Sequence, residues 1–246
     1  MPNDYFSFKQ FTIRQDKCAM KVGTDGVLLG VLAPVLLDDN NLVSNILDIG
    51  TGTGLVAIML AQRCLGRAAV IGVEIDSDAA TQAVENASKT PWKIDVYNNS
   101  IQGFAHECQE KFDLIVSNPP FFINSLKAPD KSRNTARHTD ELSFEDLVDS
   151  AEKLLAENGR FTVIIPYSSE NDFIKIAGSR KMFAESVVRV VPKVGMQAKR
   201  SVVTFARGSD KNNCNTNVTE LVIETEIRHC YTEEFKSLTA DFYLKH

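Results

Sequence analysis

Between residues 46 and 165 the chain repeats one pattern, in which a short apolar run of strand length is followed by a stretch of helical periodicity and then by another apolar run. Strands joined through helices run parallel, because an antiparallel pair closes with a tight turn whereas a parallel pair needs a crossover. Residues 46–49, 70–74, 94–97, 112–117 and 159–165 are therefore expected as strands of one sheet covered by helices on both faces. Two later runs, 186–191 and 201–207, follow each other with no helical crossover between them. They predict an antiparallel C-terminal hairpin that completes a doubly wound, mostly parallel, seven-stranded α/β sheet of Rossmann-like type. Helices are expected from Thr24 and Asp25 through Leu37, from Gly54 to Arg63, from a Ser77 cap to Ser88, and from Ser143 to Ala156, where Asp146 gives capping-box-like spacing.

A length of 246 residues suits one large α/β domain with a short appendage. Residues 1–208 are expected to form that domain, with a short N-terminal extension. Residues 209–246 are expected as an appendage, in which a polar turn-rich stretch precedes a strand-like 221–227 and a helix from about Thr232. The first eleven residues mix Asp4, Lys9 and Gln10 with aromatics and lack the apolar centre of a signal peptide. The longest apolar run, 27–37, is broken by Gly30 and Pro34 and is too short to span a membrane. Cys18, Cys64, Cys108, Cys214 and Cys230 are odd in number, scattered, and never in a C-x-x-C pair. They read as reduced residues of a cytoplasmic protein with no metal site and no disulfide framework; a monomer is the default expectation. A formal net charge of −5 counts against a protein that coats nucleic acid through charge alone. Positive charge is nonetheless clustered: Lys127, Lys131, Arg133 and Arg137 stand against Asp130, and Arg189, Lys193, Lys199, Arg200 and Arg207 have no acid among them.

The sequence Asp48-Ile49-Gly50-Thr51-Gly52-Thr53-Gly54 links the first expected strand to a helix. Its glycines let the backbone pass close to a ligand at a helix N-terminus, where free N–H groups point outward. A dinucleotide fingerprint wants a further small residue where Leu55 stands, so the spacing fits a nicotinamide site poorly. Glu74, at the end of the second strand, is placed to accept hydrogen bonds from both hydroxyls of a ribose. Backbone N–H groups of Ser100 and Ile101, at the end of the third strand, are expected to read an adenine edge while Ile75 packs on its face. The stretch from Lys21 to Gly26, through Thr24, is expected to close over the far end of the same ligand.

After the fourth strand comes Asn118-Pro119-Pro120-Phe121. An exocyclic NH2 on an adenine or an amide delocalises its lone pair and is a poor nucleophile. Two acceptors that take both N–H bonds, the Asn118 side-chain oxygen and the Pro119 carbonyl, favour a tetrahedral nitrogen able to attack a methyl sulfonium. The two prolines stiffen the turn that aims them, and Phe121 offers a face for a planar substrate. Together with the ribose acid and the glycine loop, this tetrad points to S-adenosylmethionine as the cofactor.

The Asp48–Gly54 loop, Glu74 and the Asn118–Phe121 tetrad resemble those of the class I S-adenosylmethionine-dependent N6-adenine methyltransferases. Phe8-Lys-Gln-Phe11, the stretch from Met20 to Gly30, Ala136-Arg-His-Thr139 and the stretch from Lys199 to Arg207 are similar to segments of the bacterial tRNA1(Val) adenine-37 N6-methyltransferases. The resemblance covers about residues 6–207. It implies a class I methyltransferase fold and methylation of N6 of adenosine 37 in a valine tRNA. Asn118 and Pro119 would hold the amine on the turn that Pro120 helps to stiffen, Phe121 would stack the base, and Lys131, Arg133, Arg137, Lys199 and Arg200 become candidate RNA contacts. No general base is required, so His138 is expected at the rim. The competing readings are a glutamine N5-methyltransferase acting on a protein, which usually carries a longer helical segment upstream, and a non-catalytic nucleotide- or RNA-binding module of the same fold.

Overall fold

A computed structural model describes residues 3–18, 20–36, 42–120, 142–208 and 216–245. The seven expected strands are all present, as β3 (Asn45–Ile49), β4 (Ala69–Glu74), β5 (Ile94–Asn98), β6 (Phe112–Ser117), β7 (Leu155–Pro166), β8 (Met182–Lys193) and β9 (Arg200–Arg207). Two further strands precede them, β1 (Tyr5–Ser7) and β2 (Thr12–Arg14), which pair antiparallel as a separate hairpin. An eighth strand joins the main sheet, β10 (Asn217–Glu224), so that its order is β10-β8-β9-β7-β6-β3-β4-β5. Only β9 runs antiparallel, paired with both β7 and β8, and β10 lies parallel to β8.

Alternation along the strands divides the core. Leu47 of β3, Ile115 of β6 and Phe161, Val163 and Ile165 of β7 face one helical layer, while Ile46, Leu114, Val116 and Ile164 face the other. The first layer is α4 (Ile101–Glu107), α5 (Phe144–Leu154) and α6 (Glu170–Ser179); the second contains α1 (Thr24–Leu32), α2 (Leu55–Arg63) and α7 (Glu233–Thr239). A sheet buried on both sides needs such near-continuous apolar strands. The remaining helix, α3 (Ser77–Ala87), packs against β4 and β5.

Local chemistry sets the helix ends, and several differ from expectation. Gly23 is the N-cap of α1, and Thr24 is its first residue. The helix stops at Leu32, short of Leu37, because Pro34 follows its C-cap Ala33. Asp76 caps α3, its carboxylate accepting from the N–H groups of Asp78 and Ala79, so Ser77 is not the cap. Ser100 does not end a strand: its hydroxyl caps α4 by accepting from Gly103 N–H.

The segment beyond residue 216 is continuous with this core. Leu221 of β10 and Phe235 of α7 are buried in the α1–α2 layer. Phe242 packs with Phe8, Phe11 and Ile13 of the N-terminal segment over Val27 and Met59. Lys9 N–H donates to the Phe242 carbonyl at 2.8 Å, and the Phe8 ring lies 4.8 Å from Phe11 and 5.9 Å from Tyr243. The expected appendage therefore shares its buried surface with the sheet. Phe235, 2% exposed, tests this: Phe235→Ala should lower the free energy of unfolding by about 3–5 kcal/mol in a single cooperative urea transition, whereas an autonomous appendage would melt separately and leave the main transition unmoved.

Candidate active site

The chain leaves β3 and β6, neighbours in the sheet, in opposite directions. From β3 it passes outward through β4 to β5, and from β6 it continues to β7 on the other side. Ligands of open α/β sheets bind in the crevice that opens at such a switch point, outside the carboxyl ends of the strands. Ser117 Oγ donates to the Ile49 carbonyl at 2.9 Å and pins the two strand ends together there.

On the β3 side, the chain turns through Gly50, Gly52 and Gly54 with φ of 71°, 55° and 80°, a left-handed conformation that side chains disfavour. Gly50 and Thr51 donate their N–H groups to the Val73 carbonyl at 2.9 and 3.1 Å. Expected as cofactor contacts, Asp48 and Thr51 instead stand behind the loop. Asp48 is 1% exposed, and its Oδ2 accepts from Thr51 Oγ1 at 2.7 Å and from Ala57 N–H at 3.2 Å. Burial pushes the Asp48 carboxyl up to about 7 against the pull of these two hydrogen bonds, and the nearby Glu74 charge adds to the rise. Asp48 thus ties the loop to the first turn of α2.

Glu74 holds the front of the loop. Its Oε2 accepts from Gly52 N–H at 2.8 Å and its Oε1 from Asp76 N–H at 3.0 Å. The Asn98 amide donates to the carbonyls of Glu74 and Ile75 at 2.9 and 3.0 Å, fixing the backbone that carries them.

These elements surround one cavity of about 430 Å³, within the usual size of a small-molecule site. Of the expected contacts, Gly50, Gly52, Glu74, Ile75, Ser100, Ile101, Asn118 and Pro120 line it; Thr24, Asp48, Thr51, Gly54 and Pro119 do not. Ile75 is 61% exposed, an apolar face at the rim. Phe121, Lys131, Arg133, Arg137 and His138 lie outside the described residues. Sequence reasoning missed Cys18, Met20, Asp76, Asn99, Gln102 and Leu142, which also line the cavity. Cys18 is an inert wall, since burial first, and then the charges of Glu74, Asp76 and Asp16, push its thiol up to about 11.

Asn118 stands at the β6 side of this cavity. Among the described residues its Oδ1 is buried and has no hydrogen-bond partner. Two strands away, Arg200 donates through Nε to Asp25 Oδ2 at 2.8 Å and through Nη1 to the Lys199 carbonyl at 3.1 Å. That guanidinium, expected as an RNA contact, ties β9 to the start of α1, and Lys199 beside it is exposed.

The family model described as "Methyltransferase small domain" matches residues 30–177. The chain is 46% identical to a protein of Bacteroides fragilis over all of both chains, and 47% identical to one of Phocaeicola vulgatus over 99% of each. Both bear the name tRNA1(Val) (adenine(37)-N6)-methyltransferase. Among solved structures, a predicted O-methyltransferase of Agrobacterium tumefaciens superposes with a TM-score of 0.67 at 19% identity, over 89% of this chain and 96% of that one, which shows a shared fold. No helix of the described residues is long and apolar enough to cross a membrane, and no group of three or more metal-binding side chains occurs among them.

The Asp48 carboxyl carries a testable pH dependence. Its folded value, raised from 3.8 to about 7, means the native state keeps a proton that the unfolded chain releases. Stability from this group is present below about pH 4 and is lost as pH rises to about 7. Asp48→Asn, whose amide oxygen is able to accept the same two bonds, should flatten that decline and exceed the parent at pH 8 by on the order of 2–4 kcal/mol, measured by urea unfolding from pH 4 to 8. An unchanged pH slope would show that Asp48 is ionised in the fold.

Proposed function

The chain belongs to the methyltransferase small domain family, and from that membership we propose that it methylates the exocyclic N6 of an adenosine in tRNA, adenosine 37 of a valine tRNA, with S-adenosylmethionine as methyl donor. The observation that carries this reading is the buried, unpartnered Oδ1 of Asn118 at the cavity wall. A buried acceptor left empty costs about 1–3 kcal/mol, and an amine donor from a substrate is what it lacks.

The cavity suits the cofactor. A Cβ added at Gly50 or Gly52 meets no atom within 4 Å, so the loop backbone has open space in front of it. Glu74 keeps lone pairs beyond its two backbone bonds for the ribose hydroxyls, Ile75 offers an apolar face to the adenine ring, and the first N–H groups of α4, at Ser100 and Ile101, are free of helical partners. When bound, S-adenosylmethionine supplies an electrophilic methyl group on a sulfonium.

Asn118 Oδ1 and the Pro119 carbonyl take the two N–H bonds of the target amine and draw its lone pair out of the ring, which raises its nucleophilicity where the methyl group is presented. Pro119 and Pro120 hold that geometry, and Phe121 is assigned the stacking face for the flipped base. The methylated nitrogen carries a surplus proton and a positive charge, so it releases the proton to water without a protein base.

The reaction is tested by incubating the protein with labelled S-adenosylmethionine and unmodified tRNA, with a protein release factor as a competing acceptor, and mapping the product by mass spectrometry. N6-methyladenosine at position 37 of a valine tRNA is expected; label in a glutamine side chain would overturn the reading. Asn118→Ala should lower single-turnover methylation by about 10²–10³ while S-adenosylhomocysteine affinity stays within a few fold; near-parental turnover would sink the mechanism. Glu74→Ala should instead weaken that affinity by removing charged hydrogen bonds of roughly 1.5–3 kcal/mol each, read by calorimetry. An unchanged dissociation constant would put the ribose elsewhere.

A further inference from the structure

We propose that Tyr167 and Arg189 form a stacking platform for the nucleobase adjacent to the target adenosine, on the carboxyl edge of the sheet beside Asn118. This rests on the tRNA reading above and deepens it.

Tyr167 opens a short 3-10 turn, Tyr167–Ser169, where the chain leaves β7. It is 40% exposed, and the Arg189 guanidinium carbon lies 5.5 Å from its ring centroid. That guanidinium is held. Its Nε and Nη2 donate to Glu170 Oε2 and Oε1 at 3.2 and 2.8 Å, and Glu170, itself 4% exposed, also accepts from Ser201 Oγ at 2.5 Å. A buried ion pair contributes little net stability compared with apolar residues of the same volume. Its effect here is to fix a flat cation against a flat ring, so that both are ordered before any partner arrives. Glu170 and Ser201 would suffice to tie α6 to the sheet. Nothing in that tie calls for an aromatic ring exposed to solvent.

Position selects the occupant. Ser117 of β6 pairs with Val163 of β7, and β7 runs on to Pro166. Tyr167 therefore emerges about 10 Å beyond the level of Asn118, at ~3.3 Å per residue, and one strand spacing of ~4.8 Å to the side. A purine whose amine sits at Asn118 does not reach that far, but the next nucleotide does. Extruding a base leaves its neighbour without a stacking partner, and such splayed bases stack on aromatic rings or guanidinium planes. Glu220 of β10 is the register partner of Arg189, which disfavours a phosphate there and leaves a base as the fitting ligand. For the backbone, the exposed Lys199 stands on the same edge, while Lys193 has Glu224 of β10 as its register partner.

The test uses an unmodified valine tRNA transcript, with its dissociation constant from filter binding, KM and kcat from labelled methyl transfer, and S-adenosylhomocysteine affinity from calorimetry. Tyr167→Ala should weaken tRNA binding about five- to a hundredfold, the range for losing one base–aromatic stack, and raise KM to match, while kcat and S-adenosylhomocysteine affinity stay within twofold. Tyr167→Phe should behave as the parent. Tyr167→Leu, which keeps apolar bulk without a π face, should be as weak as the alanine variant and serves in its place if that variant does not fold. Parental tRNA affinity in Tyr167→Ala or Tyr167→Leu, in a preparation whose parent methylates the tRNA, overturns the platform alone. A parent that leaves the tRNA unmethylated overturns the tRNA reading and the platform with it.

Discussion

At the carboxyl edge of the sheet, β3 and β6 end side by side while the chain departs from them in opposite directions, and a side-chain hydrogen bond from Ser117 Oγ to the Ile49 carbonyl at 2.9 Å pins the two strand ends together at the mouth of the crevice between those departures. The glycine turn begins at Gly50, one residue after Ile49, and the proline turn at Pro119, two residues after Ser117. Each turn is braced from behind by a different device: Asp48 anchors the first to α2, and the proline rings stiffen the second. The glycine loop and the Asn118 side chain thus share one origin, and a shift of either strand would move both.

The same edge is electrically divided. On the β4 side, Glu74 and Asp76 line the cavity and add to the burial that raises the Cys18 thiol, a setting that favours a cationic sulfonium ligand. On the β8–β9 side the edge carries Lys193, Lys199 and Arg200, the last paired with Asp25, whereas Arg207 lies at the far end of β9 beside Met182 and pairs with Glu152. Asn118 stands at the junction. A net charge of −5 does not exclude the proposed RNA substrate, because local basic groups act on a polyanion at short range whatever the net charge.

How far the sequence was legible follows from what each signal encodes. The parallel strands were readable because burial on both faces forces apolar runs, and the glycine turn because three left-handed positions leave almost no other choice. Burial of Asp48 was not, since a strand-end aspartate reads the same whether it points at a ligand or back into its own loop. Ser100 looked like a strand end because α4 has seven residues, too few to establish a period. The strand β10 has an exposed first half, so only Leu221 and the aromatics after it show that it belongs to the sheet. Charge pattern alone does not separate a cation already paired, such as Arg200 with Asp25, from one with no ion pair among the described residues, such as Lys199.

Asn118 is where the local rules are broken, and the fold shows why the breach persists. A polar side chain with an unused buried acceptor would ordinarily rotate toward solvent or draw in a neighbouring N–H. Here the following two residues are prolines, which donate no N–H at all and restrict the backbone that carries the asparagine. The strand beneath is locked between β3 and β7. Relief is thus denied from both sides, and the acceptor stays without a partner among the described residues. Its unsatisfied state is small beside the cohesion of two buried layers, and in the proposed reaction it would act with the Pro119 carbonyl as an oriented dipole that has no reorganisation left to undergo.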